Sequence, residues 1–323
     1  MVMTLVLKKT IIYDNYQEEI FLLMYFCIFS FNRGQLLKNC VESIEQCVEN
    51  PTILVVDDNS FDPETLKIIK EIEIKHKVIK PDIDNFHMLK CGGLYNNMQM
   101  ALNYIPPGEL AYFAQDDSQL VRKVSTQDIA DINLFFNKNS DSAFLNYTFL
   151  KGKVRERDQI STYFDDESKS YFRKNTGQSA GVYFSAICIA HADRLKAKNW
   201  QFDARERNNN IQAKTLFGLM GFLKNPFLMQ LPSAPAYRGK VKTLGLSLAE
   251  KHHKCGFHPF NLMSSKESEE FQNRKQEILP VAEDFLTLKN TELRKPWAIS
   301  PFQDTKLLKP LHRIELTIRN WFK

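Results

Sequence analysis

The chain has 323 residues, of which 43% are hydrophobic and 25% are charged. This composition is typical of a folded globular protein and excludes extended disorder. The 43 basic and 38 acidic residues give a net charge of only +5 and form no long cationic runs, so no nucleic-acid partner is expected.

The cysteine pattern favours reduced thiols in the protein core. The six cysteines contain no CxxC pair, and several of them fall on apolar faces: Cys27, Cys40, Cys47, Cys91, Cys188 and Cys255. This pattern suits a cytosolic protein better than a disulfide framework or a zinc site.

The N-terminal region contains neither a predicted membrane span nor a signal peptide. The longest apolar run, residues 20–29, is shorter than the roughly 20 residues that a spanning helix needs. Residues 1–19 lack a basic end followed by an apolar stretch, and we expect them to be a dispensable extension, with Met24 as an alternative translation start.

Strand and helix patterns alternate through the first half of the chain. Strands are predicted at 20–30, 52–57, 77–80 and 110–114, and helices are predicted after Gly34, after the Asp62-Pro63 pair and after Gly93. The prediction is an α/β fold with a Rossmann-like, mostly parallel sheet and helices on both faces. Ligands bind beyond the carboxyl ends of such strands.

The second half is less regular. Strands are predicted at 142–150, 181–190 and 227–231, and a helix at 210–223. No proline-rich or glycine-serine linker separates the halves, so we expect one continuous α/β unit.

Three polar motifs follow predicted strands. Ser30-Phe31-Asn32-Arg33 precedes a helix, where free backbone amides favour a phosphate, although a plain helix cap explains it as well. One carboxylate of the Asp57-Asp58 pair is suited to accept hydrogen bonds from a nucleobase; the alternative is turn formation and capping.

The third motif is Gln115-Asp116-Asp117. Magnesium and similar hard cations are held by one or two carboxylates together with substrate phosphates, so this motif is a candidate metal site. Solvated charge on a surface loop is the alternative.

Four stretches in this order carry a family resemblance: CIFSFNRGQLLKNCVESIEQC, ILVVDDNSFDPETLKII, KCGGLYNNMQMAL and LAYFAQDD. Over about residues 22–125 the chain resembles the nucleotide-binding half of family 2 glycosyltransferases. The resemblance implies a GT-A fold and an inverting transfer from a nucleotide-sugar donor, assisted by Mn²⁺ or Mg²⁺.

The resemblance also implies residue roles. Asp58 reads the base, with Asp57 beside it, and Asp117 holds the metal. Gln115 stands where the family usually has the first acid of its Asp-x-Asp element. The remaining residues implied in nucleotide binding are Ser30, Phe31, Asn32, Arg33, Lys90, Gln115 and Asp116.

The catalytic base is expected on the acceptor side, after the "QFD" turn. Glu206 is the first choice and Asp203 the second, although either also suits a helix start. His258 is a candidate second metal ligand. Tyr237, Arg238 and Lys240 are candidates for contact with a diphosphate or an anionic acceptor, or form a solvated basic loop.

The C-terminal residues 305–323 form a predicted basic amphipathic helix. It is expected either to lie on an anionic membrane surface or to dock on the protein's own core. The predicted organisation is thus an extension at 1–19, a nucleotide-sugar-binding half at 20–125, an acceptor-binding half at 126–304 and this helix.

The predicted function is a hexosyltransferase-type glycosyltransferase, with a UDP-sugar as the favoured donor and a glycan or lipid-linked acceptor. The expected location is the cytoplasm or the inner face of the cytoplasmic membrane, and the expected role is bacterial surface polysaccharide or lipopolysaccharide synthesis. An inactive sugar-nucleotide or glycan binder and a phosphoryl-receiver domain are the alternatives. A nicotinamide dehydrogenase is disfavoured because no GxGxxG follows the first strand.

Overall fold

The computed structural model describes residues 24–82, 93–176, 179, 181–237, 242–289, 293–305 and 307–321. The strands are β1 (Met24–Ser30), β2 (Thr52–Asp57), β3 (Lys77–Ile79), β4 (Leu110–Gln115), β5 (Ser118–Leu120), β6 (Phe144–Asn146), β7 (Thr162–Asp165), β8 (Ser170–Arg173), β9 (Cys188–His191), β10 (Gly221–Leu223) and β11 (Leu228–Gln230).

The helices alternate with the strands in the first half and become shorter and less regular later. They are α1 (Gly34–Cys47), α2 (Pro63–Glu73), α3 (Leu94–Tyr104), α4 (Thr126–Lys138), α5 (Arg155–Ser161), α6 (Ala192–Ala197), α7 (Glu206–Leu216), α8 (Leu244–His252), α9 (Ser265–Gln272), α10 (Ala282–Phe285) and α11 (Leu308–Trp321), with a 3-10 turn at Gly152–Val154.

Within the described residues, nine strands form one sheet in the order β3-β2-β1-β4-β9-β6-β10-β8-β7. The first four strands of that order are parallel, and β1 lies between β2 and β4. Beyond β4 the sheet is mixed, because β9 runs antiparallel to both β4 and β6. The remaining two strands, β5 and β11, pair with each other. The predicted α/β class is confirmed.

Helices cover both faces of the sheet. Phe26 and Ile28 of β1 pack with α1 and α2, whereas Cys27 and Phe29 pack with α3 on the other face. Successive side chains of a strand point to opposite faces, so a strand buried on both sides is apolar throughout. The near-continuous apolar sequence of β1 is the direct result.

Several sequence predictions hold at the level of single residues. Asp62 caps α2, since its Oδ2 accepts a hydrogen bond from the Thr65 amide at 2.8 Å and Pro63 occupies the first turn. Four cysteines, Cys27, Cys40, Cys47 and Cys188, are buried, and they and the partly buried Cys255 are free thiols. Cys91 lies outside the described residues.

The predicted helix at 210–223 is wrong at both ends. The helix runs from Glu206 to Leu216, and Gly221–Leu223 is a strand that pairs with β6 and β8. The apolar spacing continues across this boundary because both segments bury the same cluster, so periodicity alone did not reveal the change. The predicted strands at 142–150 and 181–190 are also shorter than expected, at 144–146 and 188–191.

Candidate active site

A cavity of about 300 Å³ lies at the carboxyl ends of β1, β2 and β4. The strand register brings the motifs together, since Ser30 pairs with Asp57 and Phe29 pairs with Gln115. The cavity is lined by Phe29, Ser30, Phe31, Arg33, Asp58, Leu94, Asn97, Gln115, Asp117, Gln230, Ala234, Ala236, Tyr237, Ile299, Ser300 and Pro301. All three strand-end motifs of the sequence therefore contribute to one pocket.

Asp58 is held in the cavity wall by the N-terminal end of α3. Its backbone amide donates to the Ser30 carbonyl at 2.9 Å, and its Oδ2 accepts from the Gly93 amide at 3.0 Å. A Cβ at Gly93 would lie 2.3 Å from Asp58 Oδ1, so only glycine lets the helix end approach this carboxylate so closely.

Asp57 and Asn32 brace the two strand-end turns. Asp57 is fully buried and accepts from the backbone amide of Ser60 at 2.9 Å. Asn32 has a positive φ of 49°, and its Oδ1 accepts from the Phe61 and Asp62 amides at 2.8 and 2.9 Å. Neither side chain lines the cavity, so the structure places both behind its wall.

Arg33 forms ion pairs with both acids of the third motif. Its Nε donates to Asp116 Oδ2 at 3.1 Å, its Nη1 donates to Asp117 Oδ2 at 3.0 Å, and its Nη2 contacts Asp116 Oδ1. Burial lowers the pKa of Arg33, but the two acids raise it by more, so its pKa lies above the ordinary value. The guanidinium stays charged and fixes the carboxylates.

The two acids differ in what they offer a ligand. Asp116 is fully buried, and burial raises its pKa to about 6, with Asp117 adding to the rise and Arg33 opposing it. Arg33 and the Phe31 amide occupy its oxygens. Asp117 lines the cavity, and its buried Oδ1 has no hydrogen-bond partner.

A free carboxylate oxygen at Asp117 fits a divalent cation that takes its remaining ligands from phosphate and water. Within the described residues, no three His, Cys, Asp or Glu side chains cluster as a complete metal site. Any cation bound here would depend on the ligand for most of its coordination.

Two further buried polar atoms on the cavity wall have no hydrogen-bond partner. They are Ser30 Oγ and Asn97 Oδ1. Buried polar atoms are rarely left unpaired, so their position argues for a polar ligand that pairs with them. Sequence analysis missed Asn97, because one asparagine in an apolar helix face carries no distinctive pattern.

Aromatic side chains line the opposite side of the cavity. Phe31 meets Tyr237 edge-on, with ring centroids 5.5 Å apart, and Lys242 Nζ lies 4.7 Å from the Tyr237 ring centroid. The 299–301 segment closes the wall from the C-terminal part of the chain. Lys90, Arg238 and Lys240 lie outside the described residues.

A second cavity of about 310 Å³ adjoins the first, and Gln230 lines both. Glu206, the first residue of α7, lines this second cavity. Desolvation by the surrounding protein raises the pKa of Glu206, while the charge of Lys151 and a hydrogen bond from the Ala186 amide oppose the rise. A carboxylate with a raised pKa at the edge of a binding cavity is suited to proton transfer.

Asp203, the second candidate for the base, and His258, the candidate metal ligand, both make hydrogen bonds within the protein. Asp203 Oδ1 accepts from the Arg205 amide at 2.8 Å and from Asn208 Nδ2 at 2.9 Å, which stabilises the start of α7. His258 Nε2 lies 2.9 Å from the Lys254 carbonyl oxygen. Neither residue lines either cavity.

Lys151 is a cavity residue that sequence analysis missed. Its Nζ donates to Gln230 Oε1 at 2.9 Å, so the ammonium lies where the two cavities meet. Burial lowers its pKa, and Asp117 and Glu206 oppose that effect. A single lysine in a turn gives no sequence signal, and only the fold brings it near both acids.

Residues 25–104 match the model of Glycosyl transferase family 2. The resemblance found in the sequence is therefore confirmed over this segment, which carries Ser30, Phe31, Asn32, Arg33 and Asp58. No curated protein matches the chain.

Three solved structures are similar to the chain at low identity. S. aureus TarS 1-349 in complex with UDP has 16% identity, 64% coverage of this chain, 60% of that chain and a TM-score of 0.43. The second is the mannosyltransferase PcManGT from Pyrobaculum calidifontis in complex with GDP-Man and Mn2+. It has 8% identity, and the match covers 71% of this chain and 61% of that chain with a TM-score of 0.45.

The third is glucosyl-3-phosphoglycerate synthase from Mycobacterium tuberculosis in complex with UDP. It has 13% identity, and the match covers 54% of this chain and 58% of that chain with a TM-score of 0.32. The chain thus spans about three fifths of the length of the structures it matches. Similarity at this level transfers no ligand and no residue role.

Proposed function

We propose that the protein is an inverting glycosyltransferase that moves a sugar from a nucleoside diphosphate to a hydroxyl of a glycan or lipid-linked acceptor. The observation that carries the proposal is the cavity at the carboxyl ends of β1, β2 and β4, where Asp58 and Asp117 lie on one wall. The family 2 match over residues 25–104 supports the same function.

The donor nucleotide occupies the first cavity. Asp58 accepts a hydrogen bond from the base, and Ser30 and Asn97 supply polar atoms for the ribose or diphosphate. We favour a UDP-sugar as the donor, with the single ring N–H of uracil directed at the Asp58 carboxylate. Arg33, with its two acids, lies on the diphosphate side of the cavity.

Asp117 is the residue that would hold a divalent cation, since its Oδ1 has no hydrogen-bond partner in the protein. When bound, Mn²⁺ or Mg²⁺ would neutralise negative charge on the departing diphosphate. Gln115 supplies an amide to a ribose hydroxyl in place of the family's usual acid. Arg33 holds Asp116 and the other oxygen of Asp117 in position.

Transfer takes place between the two cavities. The acceptor oxygen bonds to the anomeric carbon while the bond from that carbon to the diphosphate oxygen breaks. Glu206 takes the hydroxyl proton, and the nucleoside diphosphate leaves with the bonding electron pair. Attack from the face opposite the leaving group inverts the anomeric configuration.

Release of nucleoside diphosphate from UDP-, GDP- and dTDP-sugars tests the proposal. We expect one donor class to be hydrolysed slowly in water and only with Mn²⁺ or Mg²⁺, and the Asp117→Asn variant to lose this release. Asp166→Asn is the matched control, because Asp166 is an exposed acid that lines neither cavity. Release that is equal in the two variants would contradict the assigned role of Asp117.

One observation favours an inactive sugar-nucleotide binder as the second candidate. Arg33 already pairs with both acids of the metal motif. Binding of a nucleotide without release from any donor would support this candidate. A phosphoryl-receiver domain is disfavoured, because β1 and α1 precede the strand that carries Asp57 and Asp58.

We further propose that α11 touches an anionic membrane surface, where a lipid-linked acceptor would be found. Its His312 is buried against Thr243 of the α8 cap, whereas Leu311, Ile314 and Ile318 are exposed. No helix in the described part of the chain is long and apolar enough to cross a membrane. The helix therefore docks on the protein through one face and offers another face to a surface.

Flotation with lipid vesicles tests this contact. We expect the protein to bind vesicles that contain phosphatidylglycerol and not vesicles of phosphatidylcholine alone, because Arg313 and Arg319 flank the apolar residues. The Ile314→Asp variant should lose binding, whereas Ile160→Asp, at a more exposed site elsewhere, should not. Equal flotation of all three proteins would rule out a contact through α11.

A further inference from the structure

The second cavity is lined by an excess of cationic side chains. Its charged residues are Lys151, Arg157 and Arg173 against Asp158 and Glu206. These charged side chains all line one cavity beside the donor cavity. Concentrated positive charge with low-dielectric walls attracts anions more strongly than exposed charge does.

Asp158 compensates for only part of this charge. It is fully buried, and it accepts from Arg157 Nε at 3.1 Å and from Arg173 Nη2 at 3.0 Å. One carboxylate thus pairs with two guanidinium groups, and among the residues that line the cavity the cations outnumber the acids by one. Arg173 is also held in place by the Phe222 ring, whose centroid lies 4.4 Å from its Cζ.

Lys151 adds a third cation to the same space. Its Nζ donates to the neutral oxygen of Gln230 at 2.9 Å, and an ammonium has three N–H donors. The positive charges of Arg173 and Arg157 repel the charge of Lys151 and lower its pKa. An anion bound between the three would relieve that repulsion.

We propose that the second cavity binds an acceptor that carries an anionic group, a phosphate or a carboxylate, near the hydroxyl that reacts. The assignment of the bound molecule as the acceptor rests on the proposed transferase function; the anion site itself does not. Glu206 lines the same cavity, so one molecule can place its anionic group on the cations and its hydroxyl on this base.

Calorimetric titration with four small probes tests the site. The probes are glycerol 3-phosphate and glucuronate, with glycerol and glucose as their neutral counterparts. We expect at least one anion to bind ten or more times more tightly than its neutral counterpart, and the two anions distinguish a phosphate site from a carboxylate site. Saturating UDP should not displace the anion.

Two substitutions and one matched control locate the binding. Lys151→Gln and Arg157→Gln should each raise the Kd for the anion by about tenfold or more. Lys153→Gln removes the same charge two residues away, from a lysine that pairs with Asp304 and lines neither cavity, and should leave the Kd unchanged. Circular dichroism of each variant verifies that it is folded.

Three results would overturn the proposal. The first is equal affinity for the anions and their neutral counterparts, including no binding of either. The second is variants that bind the anion like the wild type, and the third is displacement of the anion by UDP. A UDP titration of the same samples separates this proposal from the proposed function. If UDP binds and the anions do not, the anionic acceptor is wrong and the transferase function stands; if only the anions bind, the donor assignment is wrong.

Discussion

Replacing Glu206 with glutamine is expected to lower kcat by about 10²- to 10⁴-fold, the usual contribution of a general base. The change keeps the size of the side chain and removes its ability to take the hydroxyl proton. Glu206 lies in the second cavity, outside the donor pocket, so the Kd for UDP should not change. The measurement is the rate of transfer at saturating donor, together with the Kd for UDP.

Asp203→Asn is the matched control for Glu206→Gln, because it removes the same charge from the same segment. Asp203 accepts hydrogen bonds at the start of α7 and lines neither cavity, so we expect a change in kcat of less than about tenfold. A larger loss in Asp203→Asn than in Glu206→Gln would reverse the assignment.

The same assignment predicts how the rate depends on pH. The base works in its ionised form, and the surrounding protein raises the pKa of Glu206 above the ordinary value of 4.5. The rate should therefore rise as pH increases through this raised pKa and fall as pH decreases through it. Glu206→Gln should lose that dependence, whereas Asp203→Asn should keep it.

Replacing Asp58 with asparagine is expected to weaken UDP binding by roughly 10- to 100-fold, since a hydrogen bond to a charged group contributes about 1.5–3 kcal/mol. Asparagine keeps the shape and one oxygen for the Gly93 amide. Its NH₂ group would meet the N–H donor of the base, so the favourable contact becomes an unfavourable one. Calorimetric titration with UDP measures the change.

Asp166→Asn serves as the control for Asp58→Asn as well and should bind UDP like the wild type. A second variant, Gly93→Ala, should weaken binding without removing any charge, because the added Cβ would displace the Asp58 carboxylate. Unchanged UDP affinity in both Asp58→Asn and Gly93→Ala would show that Asp58 does not contact the nucleotide.

The first half of the fold was predictable because its signals are local. β2 runs from Thr52 to Asp57 as expected, and Asp62 and Pro63 begin α2. Apolar strands buried on both faces and capped helices leave clear patterns in sequence. Because parallel strands end at one edge of the sheet, the strand ends at Ser30, Asp58 and Asp117 also gave the position of the cavity.

The second half was less predictable because its structure depends on distant contacts. The short strand β10 is a strand only because β6 and β8 pair with it, and its Phe222 packs in the same apolar cluster as Ala213 of α7. The helix α4 is an exception, because its full capping box at Ser125 and Asp128 is a local signal.

The candidate site shows the same division. Sequence placed Asp58 and Asp117 at strand ends, but it did not distinguish the cavity-lining residues Ser30 and Arg33 from Asn32 and Asp57, which brace the turns. That distinction depends on side-chain direction after the strand ends. Lys151, Asn97 and the 299–301 wall are brought to the cavities from distant parts of the chain.

The central claim is that the cavity at the ends of β1, β2 and β4 binds a nucleoside diphosphate with a metal at Asp117. Thermal unfolding with UDP, GDP, dTDP and CMP, each with and without Mn²⁺, tests it most directly in the wild type and in Asp117→Ala. We predict that UDP raises the Tm selectively, more strongly with Mn²⁺, and that Asp117→Ala loses the metal-dependent part. No rise in Tm with any of the four nucleotides, with or without metal, would contradict the account.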